Sequence, residues 1–196
     1  MLSVVAVSFV VIDIGTAFAA ELEEILVTAR KREESVRDIP VAVTAVSGEQ
    51  LERYSLMRLE DVAELTPQLS IFRGTAGNAA SINIRGIGPT TTSIGIEQSA
   101  VVIMDGAYYG QGRIINEGLF DTAQIEILKG PQALFFGKNA TAGAINIATN
   151  DPGEETEIIV GSGYEFDAEE WYVEGIVSGR INEQLGVRLA TRYSKQ

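Results

Sequence analysis

The spacing of hydrophobic positions changes twice along this chain, and each change marks a boundary between segments built on different plans. Residues 39 to 46, Ile-Pro-Val-Ala-Val-Thr-Ala-Val, alternate as a strand that tolerates proline at its start. Ser47 then stands as a helix N-cap with Gln50 three positions on, and Leu51 with Tyr54 begins an apolar stripe. A second short helix is expected to carry Leu59, Val62, Ala63 and Leu65 on one face. It ends before Pro67, which disfavours helix at Thr66. From residue 69 onward the pattern predicts short strands at 69–72, 81–85, 100–104, 123–128 and 143–149, with Asp105-Gly106 as a turn. Two half-buried helices among short strands predict an α+β domain with a small mixed sheet, closing at Pro152.

Past Pro152 the period becomes strictly two. Ile158, Val160, Ser162, Tyr164 and Phe166 share one parity, as do Trp171, Val173, Gly175 and Val177, and then Leu185, Val187, Leu189 and Tyr193. A membrane barrel has this pattern, with the apolar parity toward lipid; a soluble antiparallel meander has it as well. A barrel needs ~8 strands or more to close, and three would leave an edge of unpaired backbone groups that hydrocarbon does not tolerate. On the barrel reading these are the first antiparallel strands of a transmembrane β-barrel, and the chain is expected to be a fragment.

The opening residues point to export. Positions 4 to 12 form an apolar run too short to span a bilayer, and Ala17-Phe18-Ala19 supplies the small-x-small pattern of signal cleavage. No Lys or Arg precedes the run and Asp13 follows it, so a buried strand is the competing reading.

Composition removes several kinds of chemistry. With 27 acidic and 15 basic residues the net charge is -12, which works against nucleic-acid phosphate. Absence of histidine and cysteine excludes His/Cys zinc sites, thiol nucleophiles and Ser-His-Asp triads. No catalytic, metal or cofactor site is expected. Gly130 and Gly137-Lys138 suggest a phosphate loop, but Gln132 stands where a second glycine is needed and Asn139 where Ser or Thr would hold magnesium.

Four motifs carry a resemblance. Glu24-Ile25-Leu26-Val27-Thr28-Ala29 resembles a TonB box, Arg85-Gly86-Ile87-Gly88 a glycine-rich plug motif, and Val102-Ile103-Met104-Asp105-Gly106 the strand and turn after it. The most specific is Ile125-Glu126-Ile127-Leu128-Lys129-Gly130-Pro131-Gln132, continuing from Phe136-Gly137-Lys138-Asn139 to Ile147. In this order they are similar to the plug signature of TonB-dependent outer-membrane receptors. Lys129 replaces a frequent arginine, and Ala133 and Ala142 replace frequent glycines.

The resemblance implies a division into signal peptide (1–20), TonB box and linker (21–38), plug domain (39–152) and first barrel strands (153–196). It also implies the outer membrane of a Gram-negative bacterium, with the plug inside the barrel and the amino terminus in the periplasm. Implied partners are TonB at residues Glu24 to Ala29, membrane lipid around the barrel, and a small ligand such as a metal chelate, iron-siderophore by family frequency. Arg85 and Lys129 are implied to pair with barrel carboxylates and, with Glu126, to lock plug to barrel. Arg73, Gly74, Gly77, Tyr108 and Tyr109 fall where the family's plug loops face ligand. A passive or structural outer-membrane barrel protein and a soluble nucleotide-binding enzyme are the alternatives; the first has no use for a folded α+β domain or a TonB box, and the phosphate-loop spacing fails the second.

Overall fold

The computed structural model describes residues 26–27, 34–35, 41–73, 80–89, 97–109, 118–165 and 170–195, so the signal-like run and most of the tail lie outside it. In chain order the elements begin with β1 (Leu26–Val27), β2 (Glu34–Ser35), β3 (Ala42–Ser47), α1 (Gly48–Arg53), α2 (Leu59–Leu65), β4 (Leu69–Arg73) and β5 (Ala80–Ile84). They continue with β6 (Ala100–Met104), β7 (Ala107–Tyr109), β8 (Thr122–Lys129), α3 (Ala133–Phe136) and β9 (Gly143–Thr149). The final three are β10 (Glu157–Glu165), β11 (Glu170–Asn182) and β12 (Leu185–Lys195).

Among the described residues, β3, β8, β9, β6 and β7 form one sheet in that order. β6 and β9 run parallel while the other pairs are antiparallel, so the sheet is mixed as its sequence predicts. One face carries Ile125, Ile127, Ile145 and Ile147 beneath α1, α2 and the β4–β5 hairpin, and this is the main core. Side chains of this size each contribute about 1.5–3 kcal/mol when fully buried. The other face is smaller, built from Val101, Ile103, Leu128, Ala140 and Ala144.

The helices start where their caps dictate. Ser47 Oγ accepts from the Gln50 N–H at 3.3 Å and Gln50 Oε1 accepts from the Ser47 N–H at 3.1 Å, the reciprocal capping box expected from the sequence. At α2 the Asp61 carboxylate accepts from the backbone N–H groups of Arg58 at 2.8 Å and Met57 at 3.0 Å. Leu59, Val62 and Ala63 are buried as expected, but Leu65 is 56% exposed. At ~100° per residue it lies about 120° around the helix from Leu59, and buried Thr66 occupies the core-facing position instead.

Two motifs prove to be hairpin turns. Arg85 and Gly86 have φ of 55° and 77°, and Asp105 and Gly106 have 47° and 80°. Both central residues at positive φ match the primed type I turn whose twist suits a tight hairpin. The fifth strand therefore ends at Ile84, one residue earlier than its sequence suggests, and Arg85 belongs to the turn. Gly88 also has a packing reason, since a β-carbon there would meet the Asn83 side chain and the Ile82 carbonyl.

After the plug sheet, β10, β11 and β12 pair in sequence as an antiparallel meander of 9, 13 and 11 residues. Transmembrane strands need ~9–11. Ile158, Val160, Val173, Val177, Leu189 and Tyr193 are exposed on one face, while the plug packs toward the other, where Ile176 and Ser178 are buried. This is the inverse of a soluble meander, whose apolar parity covers its own core. Near one end of the apolar face Tyr193 stacks obliquely on Trp171 with ring centroids 5.5 Å apart, close to Tyr164, an arrangement of the kind that girdles barrels at the membrane interface.

Candidate functional site

The junction between plug and strand wall holds the densest charged cluster among the described residues. From β12, Arg188 reaches the loop before β8 and donates to both Asp121 carboxylate oxygens, at 2.7 and 2.6 Å, with 3.5 Å to Glu157 of β10. The side chains of the pair are only 12% and 9% exposed. Burial pushes the Asp121 carboxyl upward, but bonds from Arg188 and Asn150 and the Arg188 charge outweigh it and hold it below the usual carboxylate value. Four residues on, Arg192 lies 3.9 Å over the Tyr172 ring and touches Met57 Sδ at 3.1 Å. Tyr172 lies flat over Gly163, where any β-carbon would strike its ring. A cavity of about 1090 Å³ opens between this wall and the plug, lined by Met57, Asp61, Phe120, Tyr172 and Arg192 among others. The dyad pattern of the sequence gives Tyr172, Arg188 and Arg192 a lumen-facing parity and leaves Asp121 and Met57 unmarked; pairing across 67 positions leaves no local signal.

At the opposite end of β8 two cations meet. Lys129 is 9% exposed, and burial first, then the Arg85 charge, push its ammonium below the ordinary value. Arg85 Nη1 lies beside Gly130, and its Nε donates to Gln68 Oε1 at 3.3 Å. Neither cation has a carboxylate partner among the described residues. Glu126 does not join them. It sits on the other face of the sheet, buried, accepting from Gln124 Nε2 at 3.1 Å and Asn146 Nδ2 at 3.2 Å. Strand parity separates it from Lys129, three residues away.

Other expected site residues are distributed as follows. Leu26 and Val27 form β1 and pair with Ser35 and Glu34 of β2, and Val27 is 1% exposed. The described part of the box is thus already strand-paired on one edge. Glu24, Ile25, Thr28 and Ala29 lie outside the described residues, as do Gly74 and Gly77. Arg73 ion-pairs with Glu60 of α2. Tyr108 is exposed, and its hydroxyl accepts from Asn139 Nδ2 at 2.6 Å; Tyr109 is 40% exposed.

A small mixed-sheet domain docked against the polar face of strands whose outer face is apolar defines a class: a plug seated against the inside of an outer-membrane barrel wall. Residues 35–144 match the family described as TonB-dependent Receptor Plug Domain, and the chain belongs to that family. It is 27% identical over 143 residues to the iron-regulated outer membrane virulence protein of Vibrio cholerae, covering 69% of this chain and 22% of that protein. It is 26% identical over 148 residues to the vitamin B12 transporter BtuB of Vibrio vulnificus, covering 75% and 24%. In fold it is similar to the ferric yersiniabactin uptake receptor FyuA from Yersinia pestis, with a TM-score of 0.67 at 24% identity over 76% of this chain and 24% of that one. The chain thus spans about a quarter of the length of these relatives.

Proposed function

We propose that this chain is the gate-bearing, amino-terminal portion of an energy-coupled outer-membrane transporter that takes up a scarce ligand, an iron-siderophore complex. The observation that carries the reading is the docking of a plug-family domain on the polar side of strands with an apolar outer face. A plugged lumen passes nothing until the plug is rearranged, and the outer membrane offers no nucleotide pool to do that work. The tail from Glu24 to Ala29 is the handle by which TonB, in the periplasm, applies it. Strand addition suits an extended segment of this kind, and release of β1 from β2 provides the pairing surface.

In this reading Arg85 and Lys129 meet carboxylates of the completed wall and hold the plug in register, with Glu126 keeping the opposite sheet face ordered. Arg73, Gly74, Gly77, Tyr108 and Tyr109 belong to the plug surface that faces the ligand. Iron-siderophore cargo follows the similarity to an iron-regulated outer membrane protein and to a ferric yersiniabactin uptake receptor, and cobalamin, by similarity to the vitamin B12 transporter, is the second reading.

The test is uptake of radiolabelled ferric siderophores and of cobalamin into cells whose only receptor of this class is the protein in question. Iron uptake that disappears without TonB, and on Val27→Pro, supports the proposal. Val27→Pro removes a backbone donor from the box and is expected to weaken capture of TonB about tenfold. Uptake indifferent to TonB would sink it in favour of a passive barrel, whereas cobalamin uptake alone would replace only the ligand.

A further inference from the structure

We propose that Asp121 is a positioning residue that fixes the plug to the wall, making the Asp121 end of β8 the permanently attached end whatever ligand is carried. Asp121 connects four pieces of chain. It leads into β8; its carbonyl accepts from the Asn150 N–H at 3.0 Å and its Oδ1 from Asn150 Nδ2 at 2.9 Å, at the exit of β9. Through Arg188 it is bound to β12, and through the same guanidinium to Glu157 of β10. The loop that presents it is itself held, since the Leu119 N–H donates to the Met57 carbonyl at 2.7 Å.

Two independent observations separate this contact from an ordinary surface pair. The Arg188 fork is bidentate and enclosed, the geometry in which an ion pair is directional rather than diffuse. Asp121 also holds a φ of 52°, a conformation in which Asp and Asn are the least disfavoured residues with side chains. That turn aims a carboxylate out of the plug at the wall. β8 then runs from Asp121 to Lys129, a rise of about 25 Å. The tail enters the sheet at Ala42, which pairs with Lys129. The whole β3–β8 ladder therefore lies between the point where the tail pulls and the point where the plug is held.

The test uses the complete receptor in a lipid-like detergent, with hydrogen exchange read over 118–123 in the plug, 185–190 in the wall and 143–149 in the sheet interior. Asp121→Asn keeps the backbone preference and the Asn150 bond but removes the charge; Arg188→Gln removes the other half. Each change is expected to speed exchange about tenfold in both the plug and the wall segments. The double variant should exchange no faster than either single, because one interaction is lost once, and 143–149 should be unaffected. Arg188→Lys, which keeps charge without the fork, should fall between. Multiplying effects in the double variant, or a response confined to one segment, overturns the proposal. Either result stands apart from the uptake assay, since docking is read without ligand or TonB.

Discussion

Five non-glycine residues among those described stand at positive φ: Ser55, Gln68, Arg85, Asp105 and Asp121. Asp105 is tied down by its surroundings, its carboxylate accepting from the Thr149 N–H and hydroxyl at 2.9 Å each. Arg85 is different. Its backbone N–H donates to the Gln68 carbonyl at 2.8 Å, a bond any residue would make, while among the described residues its guanidinium bonds Gln68 alone. An arginine in the left-handed region costs about 1–2 kcal/mol, and among the described residues only the Gln68 side chain holds its guanidinium. Strain of this kind that persists without local reason points to a role beyond the domain. Arg85→Gly is accordingly expected to raise stability in urea unfolding by about 1 kcal/mol while lowering TonB-dependent uptake. A variant that loses stability and keeps full uptake would assign Arg85 to the fold alone.

At the scale of elements, α1 is the part most fully written in local sequence. Ser47→Ala removes one half of the capping box and is expected to cost about 1 kcal/mol, measurable as a lowered unfolding midpoint with the m-value unchanged. Strands were equally legible where alternation was clean, and the Asp105-Gly106 turn was read from its residue types. Arg85-Gly86 does not announce itself as a turn, because arginine is an uncommon choice for the first position of a primed hairpin and the pairing of Ile84 with Ile87 is what reveals it. Leu65 leaves the expected face for a simpler reason: a seven-residue helix offers too few turns for one off-face leucine to stand out in the sequence. The tail motif resembles a partner-binding segment, and its pairing with β2 depends on Glu34 and Ser35, seven and nine positions from their partners, which carry no strong strand signal of their own.

At the scale of the whole molecule the outer face of β10–β12 decides between membrane wall and soluble meander. Leu189, 67% exposed, points away from the plug. Leu189→Arg is expected to cost about 2–4 kcal/mol in a bilayer if it lies near the midplane, read from refolding equilibria into lipid vesicles. On a soluble meander the same change at an exposed site would fall within about 0.5 kcal/mol. The wall's inner face obeys different rules, with Arg188 and Arg192 on one side of β12 and Leu189 and Tyr193 on the other.

Period and punctuation along the chain determine α1, α2, most strands of the mixed sheet and which parity of the last strands is apolar, because these follow from contacts within a few residues; β2, β7 and α3 carry no such local signal. Tertiary structure alone decided which charges meet. Glu126 and Lys129 share a motif yet face opposite sides of the sheet, while Asp121 and Arg188, 67 positions apart, form the buried joint. Backbone alternation separates near neighbours, and only the docking of plug on wall brings distant ones together.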